Sequence, residues 1–345
     1  MGSLPTDSTP DVYIFGYQSI LARGSLASTI GTAHDDSALI PAQLLHHRRT
    51  WSAVRDFSAH DSKRYVHTPD WSIASRVAFA NIEPAEGLHV NGICQRIHPD
   101  ALSDLDYREQ GYRREDVTAS IRTYAGHSLP DHARCYAYVD PAPERSHTPI
   151  STRYYRMGLD GAAALTQRIP GFLQTYLDTT EPPGDRLDEQ LAFVYFSRDG
   201  RHLWLLNEAD SSLVLLLRCA QKQTTHDEAD PDTTIAELSR PITPGLAWLD
   251  VRHRDGAVAQ LHTRIPADLA QALLNLPHTP AQVALHSSHW LVRLALTQDS
   301  RLTEAGLLQL AQDRDHWVRR AAQRRLQDLT PAFQDPTTST SGHSS

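Results

Sequence analysis

Leu102-Ser103-Asp104-Leu105-Asp106-Tyr107-Arg108-Glu109-Gln110-Gly111-Tyr112-Arg113 is the stretch on which the reading of this chain turns. Pro99-Asp100 ahead of it is a helix start signal and Gly111 a natural terminator, so a short helix is predicted from Pro99 to about Glu109. On that helix Leu102, Leu105 and Glu109 stand at i, i+3 and i+7 and share one face. The face carrying the leucines turns to the core, which leaves Glu109 as a carboxylate in the last turn, at the edge of an apolar stripe. Desolvation and the negative end of the helix dipole both disfavour its charged form and push its pKa upward. A carboxyl so placed suits proton transfer near neutral pH. The same segment also fits a surface glutamate paired with Arg108, Arg113 or Arg114, and the helix alone does not choose between the two.

Upstream, the apolar β-type run Val12-Tyr13-Ile14-Phe15 is broken by Gly16 and followed by Tyr17-Gln18-Ser19-Ile20. A glycine at a strand end lets the backbone turn and present successive N–H groups, a nest that can hold a carboxylate or an oxyanion. Ser19 adds a hydroxyl and Tyr17 a phenol. A strand-ending glycine is also compatible with a plain turn. Ser19 lacks the G-x-S-x-G elbow of a hydrolase nucleophile.

Working outward, short β-branched or aromatic runs at 76–81, 90–97, 117–124 and 134–139 read as strands, and 152–177 reads as a long helical stretch. Strands with helices inserted between them give an α+β domain over 11–180, built on a small closed or half-closed sheet. Glu181-Pro182-Pro183-Gly184-Asp185 is a linker. Beyond it, 187–265 reads as mostly β, of no nameable type. Its strands are expected at 191–196, 202–206, 213–217, 245–251 and 257–261, with a hairpin turn at Arg198-Asp199-Gly200 and a long polar loop over 221–234. From 266 to 330 the pattern is helical. There Val292-Arg293-Leu294-Ala295 recurs as Val318-Arg319-Arg320-Ala321, each copy preceded by His-Trp, an offset of 318 − 292 = 26 residues. This resembles leucine-rich-repeat-variant or HEAT-like units, with a generic helical bundle as the competing reading. The Ser/Thr-rich end, 331–345, reads as a disordered tail.

A chain of 345 residues suits two or three domains. With 40% apolar and 21% charged residues it can build a packed core, which argues against wholesale disorder. The net charge of −8 and the absence of a Lys/Arg-rich run leave no footprint for a nucleic-acid partner. The basic residues are nearly all arginine, which reads as a compositional habit rather than a function. Cys94, Cys135 and Cys219 are far apart and form no C-x-x-C pair, so neither a disulfide framework nor a zinc site is expected. The histidines are scattered; His46-His47 and His286 with His289 are the close groups, and neither has a metalloprotease pattern, so no metal is expected. No apolar leader or membrane-length run occurs, and a cytoplasmic location is the expectation.

Taken together, the two opening segments are similar to a known family. Ile14-Phe15-Gly16-Tyr17-Gln18-Ser19-Ile20 resembles the F-G-Y-G-S-L loop of the γ-glutamylcyclotransferase superfamily, and 105–113 resembles its L-D-x-R-E-x-G-Y-R segment. Between them, Arg76-Val77-Ala78-Phe79-Ala80-Asn81 and Val90-Asn91-Gly92-Ile93 match its strands. Afterwards Ala137-Tyr138-Val139 and Ser151 with Tyr154 fall where it has a later strand and its final helix start. The resemblance, which extends to the ChaC-type glutathione-degrading enzymes, covers about 11–178, roughly half the chain. It implies a small β-barrel with flanking helices and release of 5-oxoproline from a γ-glutamyl peptide, amine or amide, a lyase-like or acyl-transfer reaction. In it the substrate's α-amine attacks its own γ-carbonyl, so no metal or organic cofactor is needed. Glu109 maps onto the family's acid/base glutamate. Ile14, Phe15, Gly16, Tyr17, Gln18 and Ser19 map onto its substrate loop, with Tyr112 and Tyr154 as further substrate contacts.

The family has glycine after the loop tyrosine where this chain has Gln18. If that position required φ > 0, a glutamine would be strained, and its side chain would fill part of the pocket or make a new polar contact. This departure, with the helical C-terminal block, keeps a second expectation open: a non-catalytic binding or regulatory protein that retains the fold and holds a protein partner through its helical repeats.

Overall fold

The computed structural model describes residues 11–22, 39–60, 63–196, 203–205, 235–243, 246–252, 258–263 and 265–329. The strand expected at 213–217, the loop at 221–234, Cys219, the turn at 198–200 and the tail at 331–345 lie outside them. The chain forms two compact units, Met1–Asp56 with Ser75–Leu191, and Phe57–Ala74 with Ala192–Ser345.

The first unit opens with β1 (Val12–Gly16) and β2 (Leu39–Asp56). After β3 (Lys63–His67) and β4 (Ile73–Ala74), which belong to the other unit, the chain returns in β5 (Arg76–Ile97). Then follow α1 (Leu102–Arg108), β6 (Arg113–Asp116), β7 (Ile121–Thr123), β8 (Arg134–Val139) and β9 (Ile150–Ser151). Two helices, α2 (Thr152–Thr166) and α3 (Phe172–Asp178), close the unit before β10 (Leu187–Asp188) pairs with β9. Six strands form one sheet in the order β6-β8-β1-β5-β2-β7, antiparallel between β1 and β5 and parallel between β1 and β8. The sheet curls into a half-barrel, in keeping with the α+β expectation.

β1 lies inside this sheet and all five of its residues are buried. Alternation along it sets two faces. Tyr13, Phe15 and then Tyr17 join the core that contains Trp51, Ala78, Cys94 and Cys135, while Val12 and Ile14 face Ile97, Leu105 and Tyr138. Leu105 is fully buried on that second face, so α1 docks there through the leucine stripe that the spacing predicts.

Three sequence expectations are corrected here. The runs at 76–81 and 90–97 are one strand, β5, paired along most of its length with β2, an element the sequence reading missed. β2 carries His46-His47-Arg48-Arg49 at its middle, and its register shifts between Leu45 and His47 and again between Thr50 and Ala53, with His46 at φ 60°. Two such irregularities erase the period-two signal. The run at 117–124 begins as a 3-10 turn, because Asp116 accepts from the Thr118 amide (3.0 Å) and hydroxyl (2.6 Å), and only Ile121–Thr123 is strand. The helical stretch 152–177 is two helices, separated where Gly171 adopts φ 79° after Pro170.

In the second unit β3 and β4 join β11 (Leu191–Phe196) and β12 (Leu203–Leu205) in a sheet of order β12-β11-β3-β4. β13 (Ile235–Thr243), β14 (Leu246–Arg252) and β15 (Val258–Thr263) form an antiparallel meander. Among the described residues five α-helices follow: α4 (Ala267–Asn275), α5 (Ala281–Leu285), α6 (Trp290–Leu296), α7 (Glu304–Leu310) and α8 (His316–Leu329). The recurring Val-Arg pair opens α6 and α8, and both arginines do the same local work. Arg293 donates to the carbonyls of Ser287 and Ser288, and Arg319 to those of Asp313 and Arg314, six and five residues back in each case. Each thus ties the turn before its own helix. Arg64 of β3 sits over the rings of Trp290 (4.5 Å) and Trp317 (4.2 Å) and pairs with Asp315 at 3.0 Å.

Candidate active site

Gly16 ends β1, and the chain turns through Tyr17 and Gln18 into the 3-10 turn Ser19–Leu21, closed by the Leu21 amide on the Gln18 carbonyl (2.9 Å). α2 packs close against this turn. A Cβ on Gly161 would stand 2.7 Å from Leu21, so only glycine permits the approach. α1 brings a second wall. Its C-cap is Glu109, whose amide donates to the Leu105 carbonyl (2.8 Å) and whose carbonyl accepts from the Tyr112 amide (2.9 Å). Gly111 turns the chain at φ 93°, and a Cβ there would stand 2.6 Å from Arg55 Nε.

These elements enclose a narrow cleft of about 30 Å³, lined by Phe15, Tyr17, Gln18, Ser19, Ile20, Ala80, Glu109, Tyr112, Tyr138 and Tyr154. A void of that size holds about two water molecules, and so encloses the reacting end of a ligand rather than a whole peptide. Of the residues nominated from sequence, Phe15, Tyr17, Gln18, Ser19, Glu109, Tyr112 and Tyr154 meet here, although the chain separates them widely. Ile14 and Gly16 do not line it. Ile14 is fully buried on the opposite face of β1, as the pleat requires, and Gly16 lies under Ile20. Ile20, Ala80 and Tyr138 are members the sequence reading did not nominate, although Ile20 ends the segment matched to the family loop and Ala80 and Tyr138 lie in runs matched to family strands.

Among the described residues that line the cleft, Glu109 is the one carboxylate. Its side chain is 18% exposed and pairs with Arg108 Nε at 3.0 Å, so the carboxylate both lines the cleft and has an arginine partner. The tyrosines are walls rather than proton carriers. Tyr17 donates to the Tyr138 carbonyl (2.7 Å) and Tyr112 to the Ala80 carbonyl (3.1 Å). Burial pushes both phenols well above the ordinary tyrosine range and keeps them protonated. Tyr138 is raised too, by burial and by its hydrogen bond to Asp106 (2.8 Å). Arg55 covers the Tyr112 ring (4.3 Å), donates to the Gly111 carbonyl (2.8 Å) and pairs with Asp140, which ties the turn after Glu109 to β2.

Gln18 is the least expected part of the site. Its φ is −144°, outside the left-handed region, so the anticipated strain is absent. Its side chain is buried: Nε2 donates to the Tyr154 carbonyl (2.9 Å) and Oε1 accepts from the Tyr176 hydroxyl. The space it occupies exists because residue 158 has no Cβ; one built there would run into both Gln18 Oε1 and the Tyr176 hydroxyl. Behind Tyr176 lies Arg49, fully buried, with its guanidinium 3.9 Å from that ring. Arg49 donates to the carbonyls of Tyr176 (3.2 Å) and Asn91 (2.6 Å) and to the Thr180 hydroxyl. No group of three His, Cys, Asp or Glu residues that could hold a metal ion occurs among the described residues. No helix there is long and apolar enough to cross a membrane.

No protein-family model and no curated protein sequence matches this chain. Among solved structures, half of the chain is similar to one described as a gamma-glutamyl cyclotransferase, at 19% identity and a TM-score of 0.36, covering 89% of that structure. It is also similar over half its length to the uncharacterized human protein loc79017, at 18% identity and a TM-score of 0.35, covering 90% of it. A third similar structure is YkqA from Bacillus subtilis, at 18% identity and a TM-score of 0.35, of which 54% is covered.

Proposed function

We propose that the first unit is a γ-glutamylcyclotransferase, with Glu109 as its acid/base. The observation that carries the reading is the convergence of the Tyr17-Gln18-Ser19 loop and Glu109 on one cleft in which Glu109 is the carboxylate among the described lining residues. The substrate's α-ammonium loses a proton to the Glu109 carboxylate. The freed amine attacks the γ-carbonyl carbon, a new C–N bond closes the five-membered ring, and the old amide C–N bond breaks. Glu109 returns the proton to the departing nitrogen, and the second proton that the ring nitrogen sheds on becoming an amide follows the same route, so the departing group leaves as an ammonium. Atoms balance without water, and the products are 5-oxoproline and an amine or amino acid. Because the nucleophile and electrophile belong to one molecule, the protein's task is to hold them in a near-attack geometry, which is proximity catalysis. Tyr17, Tyr112 and Tyr154 supply rigid walls for that purpose. The loop amides at the start of the 3-10 turn supply donors for the developing oxyanion.

Purified full-length protein incubated with a panel of γ-glutamyl dipeptides, amines and glutathione should release 5-oxoproline, detected by mass spectrometry. Absence of release from every member, or undiminished release from Glu109→Gln, overturns the proposal.

A further inference from the structure

We propose that Gln18 is a specificity-determining residue of this cleft and that Tyr176 is the positioning residue that decides which way its carboxamide faces; this rests on the cyclotransferase reading of the same site. The orientation follows from the partners. A backbone carbonyl can only accept, so the group facing the Tyr154 carbonyl at 2.9 Å is the NH2 end, and the oxygen faces Tyr176. Tyr176 is then the donor, and its proton is secure. Burial carries the phenol up to about 12 against the opposing pull of Arg49. The amide nitrogen has two hydrogens. One is spent on Tyr154; no acceptor among the described residues takes the other, and since Gln18 lines the cleft we assign it to a ligand there. The position therefore offers a fixed donor rather than an acceptor.

The charge behind it points the same way. None of the hydrogen-bond partners of Arg49 among the described residues is a carboxylate: they are the Tyr176 and Asn91 carbonyls, the Asn91 side-chain oxygen and the Thr180 hydroxyl. Its positive charge thus stands behind the Gln18 side of the lining with no adjacent counter-charge, while Glu109 supplies the negative charge elsewhere on the same lining. The Gln18 side selects a ligand oxygen, and an anionic one above a neutral one. A ligand lacking that oxygen leaves a buried donor unpaired, which is how such sites discriminate.

The test compares parent, Gln18→Met and Tyr176→Phe, all as the full chain. Two compounds are used: the γ-glutamyl amide turned over best by the parent, and its 4-aminobutyryl counterpart, which has the same amine and acyl chain but no α-carboxylate. The parent should prefer the γ-glutamyl compound. Gln18→Met should raise its KM about tenfold, the loss of about one charge-assisted hydrogen bond, while kcat falls less and the preference over the 4-aminobutyryl compound shrinks by a similar factor. Tyr176→Phe keeps the ring and should move KM in the same direction by a smaller factor; a merely structural role would lower the folded fraction and leave KM alone. Calorimetric binding of 5-oxoproline to parent and Gln18→Met provides a readout independent of turnover. Turnover with equal KM in parent and Gln18→Met overturns the role of Gln18 and leaves the cyclotransferase reading standing. No turnover, but 5-oxoproline binding weakened by Gln18→Met, does the reverse. Neither turnover nor binding overturns both, and activity gained in Gln18→Gly over an inactive parent overturns the role assigned to Gln18.

Discussion

Gln18 and Tyr176, 158 residues apart in the chain, are hydrogen-bonded side chain to side chain in the buried interior of the first unit, and the absence of a Cβ at Gly158 is what lets them meet. The contact joins the turn after β1 to α3, so the loop and the helix pair α2–α3 respond to the same few atoms.

Gly158→Ala tests that arrangement. Its methyl group collides with both partners, so the carboxamide or the phenol must shift. Alanine is the better helix former, which works in favour of the variant. Overpacking at a buried site costs about 1–3 kcal/mol and should win, lowering the melting temperature and raising KM together. A variant as stable as the parent with unchanged KM would show that the space is not used as described.

Glu109→Gln removes the proposed proton carrier while keeping size and hydrogen-bonding capacity. Release of 5-oxoproline should fall about 10²–10⁴-fold, the range of a lost general acid/base, with the circular dichroism spectrum and melting curve unchanged.

Arg49→Met should be among the most damaging single changes in the first unit. It strips donors from the carbonyls of Tyr176 and Asn91 and from Thr180, all in the interior. The Tyr176 carbonyl keeps its hydrogen bond from the Thr180 hydroxyl, so the cost falls on the acceptors left with no other donor, about 1–3 kcal/mol for each. Denaturant unfolding of Arg49→Met against Arg49→Lys measures this; lysine restores a cation but not the fork of donors, so only part of the loss should be recovered.

Glu83 gives the unit an acid-sensitive point. Burial alone would raise its carboxyl, but hydrogen bonds from Ser52 (2.6 Å) and Thr50 (2.9 Å) and the charge of Arg145 hold it below the usual range. A carboxyl depressed in the folded state contributes stability above its unfolded pKa of about 4.3, and that contribution is lost as pH falls through the folded value. The difference in stability between the parent and Glu83→Gln should therefore be steady near neutral pH and shrink as the pH drops below about 4, as read by urea unfolding at a series of pH values.

Arg64→Ala should destabilise the second unit and change its fluorescence, because the guanidinium lies over Trp290 and Trp317 and neutralises Asp315, whose carboxylate also accepts from the amides of Trp317 (2.9 Å) and Val318 (3.2 Å). Removing one member of a buried ion pair costs about 3–5 kcal/mol. Intrinsic tryptophan emission during unfolding is the measurement; emission and midpoint equal to those of the parent would contradict the role given to the arginine.

What the sequence by itself determined was local. The helix that ends at Glu109, its leucine face, the Gly111 terminator and the turn after β1 each follow from propensity, spacing and stop residues within about ten positions, and those preferences act on the backbone wherever the segment lies. The same kind of signal marks the Val-Arg pairs that open α6 and α8. Only the tertiary structure decided the rest. β2 has no clean period because two bulges let it bend along β5, and a bulge is stable only when the partner strand is present. Ile14 and Tyr17 look equally eligible for the cleft until pairing on both sides of β1 assigns their faces. Arg49 could be a buried residue only because acceptors at positions 91, 176 and 180 converge on it, and no signal within β2 announces partners so far along the chain. Gln18 does not adopt the left-handed backbone anticipated for it, and its side chain finds room because Gly158 has no Cβ and Tyr176 offers it a partner, two residues of other elements that the loop sequence does not announce.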